Sequence, residues 1–186
     1  MTLDRRSAEG LLFFAAFALC IPAANWLIGN AGTTCVPNGP CLIPVAPGLK
    51  APSGVLMIGL ALVLRDLVQR RLGLGWSFAA IVAGTALSAL LAPPALVIAS
   101  AAAFLLSEMA DLAVYTPLQR RGLVLAVAAS SMVGLVVDSV VFLALAFGNL
   151  DFLAGQVVGK AWLVAMSIPL IAWLRRRDER VGMIPA

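Results

Sequence analysis

The sequence predicts an all-α polytopic membrane protein: six transmembrane helices, with the N- and C-termini both cytoplasmic. Three observations carry this. First, 62% of the 186 residues are hydrophobic and only 12% are charged, with a mean hydropathy of +1.02. A soluble domain is about 45–50% apolar and about 25% charged. Second, a hydrocarbon core about 30 Å thick needs roughly 17–25 apolar residues per helix. Such runs fill the chain at 11–29, 51–67, 74–91, 95–116, 122–147 and 152–174. Third, eleven of the thirteen basic residues are Arg, all at segment ends. With six spans, Arg5/Arg6, Arg65/Arg70/Arg71, Arg120/Arg121 and Arg175/Arg176/Arg177/Arg180 fall on one side, and Lys50 alone on the other. Basic loops stay in the cytoplasm.

Residues 1–10 are a short polar start. The first span, 11–29, follows a basic start as a signal peptide would. Its length, Pro22, Asn25 and the lack of a small-x-small cleavage site favour a retained helix. An outer loop, 30–50, is dense in Gly, Pro and Asn and holds Cys35 and Cys41. On the outer side a disulfide between them would persist; two free thiols are the alternative. Cys20 reads as a small core residue of span one. Span two, 51–67, ends in R-D-L-V-Q-R-R. Span three, 74–91, is uncharged, with Gly84, Thr85 and Ser88 as packing positions. Pro93-Pro94 turns the chain into span four, 95–116. Span five, 122–147, carries Ser130, Ser131 and Asp138, and span six, 152–174, carries Gln156, Lys160 and Pro169. Gly155 and Gly159 form a small-x-x-x-small pair, expected at a close helix contact. The whole of 1–186 is read as one membrane domain.

Several function classes drop out. No G-x-x-x-x-G-K-[ST] loop is present, so no ATPase domain is encoded. There is no His, which removes the commonest metal ligand and proton relay. No continuous basic face offers itself to nucleic acid. No cofactor, metal site or catalytic residue is expected.

The chemistry must lie in the charges inside the spans, which are costly there. Phe104, Glu108, Asp111 and Tyr115 share one helical face. Ser131, Gly134, Asp138 and Phe142 share another, and Gln156, Lys160 and Ser167 a third. At about 1.5 Å rise per residue, Asp138 and Lys160 reach matching depths, roughly 14 and 12 Å from the outer ends of their helices. An ion pair would hide both. Arg65 reaches about the depth of Glu108 and Asp111, so a second pair is expected there. Asp66 lies near the interface, where solvation is the plainer reading. Asn25, one turn after Pro22, either bonds a carbonyl freed by the kink or faces a ligand. Three polar faces turned inward would enclose a cavity of carboxylates, an ammonium, an amide and aromatic rings. Carboxylates suit the N–H donors of a flat heterocycle, and equally suit a cation. Buried pairs that only fix helix packing are the alternative.

The residues also resemble a family. Asn25-Trp26-Leu27, then Asp66-Leu67 with Arg70 and Leu72-Gly73, carry the likeness in the first two spans. Asp111 with Val114 carries it in the fourth, Gly134 and Asp138-Ser139 before Phe142 and Ala146-Phe147 in the fifth, and Lys160, Ser167 and Pro169 in the sixth. Together they resemble the VUT family, bacterial queuosine precursor transporters of six spans. The resemblance implies import of a 7-deazaguanine such as preQ0 or preQ1 across the bacterial inner membrane, through a midplane cavity. It carries Asn25, Asp66, Asp111, Asp138 and Lys160 over as substrate-binding positions. The residues' own reading adds Glu108, Tyr115 and Gln156. The partners expected are the solute, the lipid bilayer and, as a candidate, a second copy in a homodimer. Competing readings are a substrate-binding subunit of a multi-component vitamin importer and a structural membrane subunit. A third is an intramembrane enzyme using Asp111 and Asp138 as an aspartyl dyad, which their separation of about 10 Å along the membrane normal disfavours.

Overall fold

A computed structural model of the chain describes residues 4–35 and 40–182. Six long helices carry almost all of it: α1 (Arg5–Asn30), α2 (Val55–Leu72), α3 (Leu74–Leu91), α4 (Val97–Leu118), α5 (Leu123–Phe147) and α6 (Leu153–Val181). Pro94–Leu96 form a 3₁₀ turn that leads into α4. The protein is an all-α membrane protein. Five helices are long and apolar enough to cross a bilayer: α1, α3, α4 with its preceding turn, α5 and α6.

The sixth, α2, is as long as α3 but carries Arg65, Asp66, Arg70 and Arg71. It tolerates these because it meets protein rather than lipid. It packs against all five other helices, and twelve of its eighteen residues are buried. A charge surrounded by protein partners avoids most of the cost it would meet in hydrocarbon. The other helices turn large apolar side chains outward: Leu12 and Trp26 on α1, Leu90 on α3, and Met166 and Trp173 on α6 are exposed.

The segment expected as an outer loop is partly ordered into a sheet. β1 (Thr34–Cys35), β2 (Cys41–Ala46) and β3 (Leu49–Pro52) pair antiparallel in the order β1-β2-β3. Gly48 supplies the positive φ of +74° for the β2–β3 turn. Ala51 and Pro52, expected to open the second span, instead pair with Ile43 and Leu42, and the helix begins at Val55. The signal was the short run Leu42, Ile43, Val45 between turn residues; surrounding Pro and Gly masked it. Cys35 faces Cys41 across the β1–β2 register and the two form a disulfide. Cys20 is free and buried.

The sheet caps one end of the bundle. Ser53 Oγ donates to the Leu27 carbonyl at 2.7 Å. Trp162 Nε1 of α6 donates to the Val45 carbonyl at 2.9 Å. Gly155 lets α6 reach the sheet: a Cβ there would lie 2.1 Å from the Lys50 carbonyl oxygen. Gly159 likewise admits the side chains of Val55 and Val45.

At the other end an ionic clasp joins three helix ends. Arg71 of α2 donates to Glu9 of α1 at 3.0 Å and to both Asp178 oxygens of α6 at 2.9 Å. Arg70 adds a bond to Asp178 at 3.0 Å, and Arg177 one to Glu9 at 2.5 Å. Arg6 Nε donates to the Arg71 carbonyl at 2.9 Å. Asp178 is 1% exposed and touches three Arg side chains. Asp178→Asn is expected to cost about 2–3 kcal/mol, the range for charge-assisted bonds lost from a buried group. Glu9, whose side chain is 18% exposed, is expected to matter less on Glu9→Gln. Thermal unfolding in detergent checks this ordering, and equal losses would contradict it.

Candidate functional site

The polar residues of the bundle interior lie in two layers. One layer lines a cavity of about 90 Å³ on the sheet side. Its walls come from all six helices, with Ser88 from α3, and from Pro52 of the sheet and Pro93 and Leu96 of the turn before α4. Lys160, Asp138 and Gln156 line it with Asn25, and Phe104 and Phe142 add ring faces. Lys160 Nζ donates to Asp138 at 2.5 Å, to the Ser139 hydroxyl at 2.8 Å and to the Gln156 carbonyl at 2.9 Å. All three ammonium protons are thus accounted for. Asn25 Nδ2 donates to the carbonyl of Ile21, the residue before Pro22, at 3.0 Å.

Lys160 owes its position to a glycine on the neighbouring helix. A Cβ at Gly59 would come within 2.5 Å of the Lys160 carbonyl oxygen and 3.0 Å of its Cα. The absent side chain lets α2 and α6 cross backbone to backbone at this point. That contact sets how deep Lys160 sits and aligns it with Asp138.

The second layer gathers around Arg65. Its Nε donates to Glu108 at 3.2 Å, its Nη1 to Gln69 at 3.2 Å, and its Nη2 meets Asp66 at 2.8 Å and also Asp111. The guanidinium lies 5.7 Å from the centroid of the Tyr115 ring, a cation–π contact. Ser130 of α5 donates to Asp66 at 2.9 Å. Arg65, Asp66 and Asp111 are 0% exposed, and Glu108 is 1% exposed. Gly134 of α5 makes room for Asp111: a Cβ there would lie 3.1 Å from the Asp111 Cβ and 2.8 Å from Leu62.

The eight residues expected at the site therefore divide. Asn25, Asp138, Gln156 and Lys160 line the cavity, while Asp66, Glu108, Asp111 and Tyr115 surround Arg65. The expected Asp138–Lys160 pair is present, and Arg65 pairs with both candidate acids rather than one. Asp66 is buried, not solvated at an interface. Asp111 and Asp138 do not form a dyad: each is held by a different cation. The two layers share helices. On α4, Phe104 lines the cavity one turn from Glu108; on α5, Asp138 lines it one turn from Gly134, which abuts Asp111. Gln69, Ser130 and Ser139 complete the networks; a polar residue facing an acid on another helix leaves no spacing signal along the chain.

A bundle of apolar helices around a half-open cavity that holds a few polar and charged groups, with ion pairs stacked behind it, defines a polytopic membrane protein. A family model described as "putative vitamin uptake transporter" matches residues 53–174, about two-thirds of the chain. The chain belongs to that family of membrane uptake transporters. The match runs from just before α2 into α6, so it covers the polar residues of α2, α4, α5 and α6 but neither α1, with Asn25, nor the sheet. A search of curated proteins and a search of solved structures each returned no match.

Proposed function

We propose that this chain imports a queuosine precursor of the 7-deazaguanine type, preQ0 or preQ1, across a bacterial inner membrane. In this reading all six helices cross the bilayer, with the sheet outside and the ionic clasp in the cytoplasm. The arginines cluster at the clasp end, as the positive-inside rule requires. The observation that carries the reading is the outer cavity, which combines an acid, an ammonium, two amides and two Phe rings in one space. A flat deazapurine offers amino and ring N–H donors to Asp138, a ring carbonyl to Lys160, and π faces to Phe104 and Phe142. Asp138 and Lys160 now satisfy each other, so the solute has to exchange that bond for its own. The solute is moved unchanged, and no step of the reading makes or breaks a covalent bond.

Uptake of labelled preQ0 and preQ1 into cells unable to make queuosine tests this. Asp138→Asn is expected to reduce uptake at least about tenfold, since a charge-assisted hydrogen bond is worth about 1.5–3 kcal/mol. Lys160→Ala leaves Asp138 buried and unpaired, so it is expected to lower membrane abundance as well. The double variant Lys160→Met/Asp138→Asn removes both charges, and is expected to regain abundance without uptake. An inserted wild-type chain that takes up neither compound would overturn the substrate. A double variant that transports normally would assign the pair to packing alone.

A further inference from the structure

We propose that Asp66 and Asp111 share one exchangeable proton, and that this proton drives uptake through the outer cavity. The drive rests on the transporter reading above; the shared proton does not.

Around Arg65 stand three carboxylates, those of Asp66, Glu108 and Asp111, all within salt-bridge distance of one guanidinium. Fully ionised, this buried group would carry a net charge of −2. Among the described residues no cation other than Arg65 pairs with any of the three. Lys160 is committed to Asp138, and Arg70 and Arg71 to Asp178 and Glu9. Uncompensated charge of that size is not sustained inside a protein; carboxylates take up protons instead.

The Oδ1 atoms of Asp66 and Asp111 meet the same Arg65 nitrogen, which brings the two carboxyl groups side by side. Two carboxylates have only acceptors. They can bond directly only if one carries a proton, the arrangement of shared-proton carboxyl pairs. Asp111 Oδ2 is buried with no hydrogen-bond donor in the surrounding protein. The Tyr115 hydroxyl, also buried without a partner, lies among the charges of Asp66, Arg65 and Asp111. A metal cation is the poorer occupant, because the guanidinium already sits on both carboxylates.

The surroundings bear on when the proton moves. From α5, Ser130 donates to Asp66, and Asp138 lies near enough to Glu108 to act on it electrostatically. From α1, the Cys20 thiol lies near Glu108. From α2, Gln69 holds Arg65, and Arg70 acts on Tyr115. α3 carries no ionisable residue, and α6 acts only through Lys160 on Asp138. A solute that engages Asp138 or separates it from Lys160 changes the field on Glu108 and, through Arg65, on the pair. In one cycle a proton from the outer side forms an O–H bond on a carboxylate oxygen, cancels one negative charge, and is lost to cytoplasmic water after the solute.

Purified protein in liposomes, with radiolabelled preQ0 outside and a pH dye inside, tests the drive. An inward proton gradient is expected to raise initial uptake about tenfold, within the usual range of coupling between sites, and the dye to report acidification with uptake. Asp111→Asn and Asp66→Asn mimic the protonated carboxyl. Each is expected to lose the response to the gradient while still exchanging internal for external preQ0. Uptake indifferent to the gradient, or dependent on sodium in place of protons, would overturn the drive. Infrared difference spectra of the same protein test the shared proton without any solute. A protonated-carboxyl band is expected at neutral pH, and is expected to vanish in Asp111→Asn. Absence of that band in the wild type overturns the shared proton, whatever the substrate. Its presence in a protein that does not take up preQ0 supports the proton and counts only against the substrate reading.

Discussion

Arg65→Met is expected to remove folded protein from the membrane almost completely. Arg65 is the largest of the fully buried side chains and the only cation touching Asp66, Glu108 and Asp111 among the described residues. Its removal leaves three acids facing one another across α2 and α4. Breaking one buried pair costs about 3–5 kcal/mol, a large part of the roughly 5–15 kcal/mol that holds a typical domain folded. The variant is built to separate charge from shape, since Met keeps much of the apolar stem. Adding Asp66→Asn and Asp111→Asn to Arg65→Met removes two of the stranded charges, and is expected to restore abundance in part. Size-exclusion of a fluorescent fusion from solubilised membranes reads this directly. Normal abundance of Arg65→Met alone would mean that the three acids are already neutral without Arg65.

Gly59→Ala is expected to abolish most uptake while leaving the protein in the membrane. The added methyl would need the space of the Lys160 backbone, at 2.5 Å from its carbonyl oxygen, and backbone cannot rotate aside as a side chain can. α6 must move off α2, and Lys160 moves with it. Overpacking of this kind costs about 1–3 kcal/mol, which a six-helix bundle survives. The alignment of Lys160 with Asp138 does not survive it. Gly75→Ala, where nothing lies within 4 Å of the added methyl, is the control and is expected to behave as wild type. Unchanged uptake in Gly59→Ala would show that the α2–α6 crossing does not set the cavity.

The helices were legible because hydrocarbon leaves few ways to build a span. Apolar length located α1, α3, α4, α5 and α6, and the face shared by Phe104, Glu108, Asp111 and Tyr115 is buried along its whole length. The matching depths of Asp138 and Lys160 follow from helical rise alone, and the pair is there. What could not be read was lateral. Depth along a helix says nothing about which neighbour a residue turns toward, so one expected cavity became two layers. Asp66 looked interfacial because Arg70 and Arg71 follow it. Yet α2 is enclosed by other helices as far as those arginines. The sheet was obscured for a different reason. Its longest strand has six residues, and its pairing depends on a register between segments that each look like loop.

The enclosure of α2 also constrains the order of assembly at the ribosome. The carboxylates on α4 that balance Arg65 lie 43 and 46 residues further along the chain. At translation rates of about 5–20 residues per second, α2 waits roughly two to nine seconds for them. The clasp waits longer, because Glu9 and Arg177 are 168 residues apart. Until α4 emerges, α2 has no stable place in lipid and must be sheltered by the insertion machinery or held at the membrane surface. A nascent chain stalled after α3 is therefore expected to leave α2 open to carbonate extraction or cysteine labelling. One stalled after α5 is expected to protect it. The helix at the centre of the finished protein would then be among the last to settle into the bilayer.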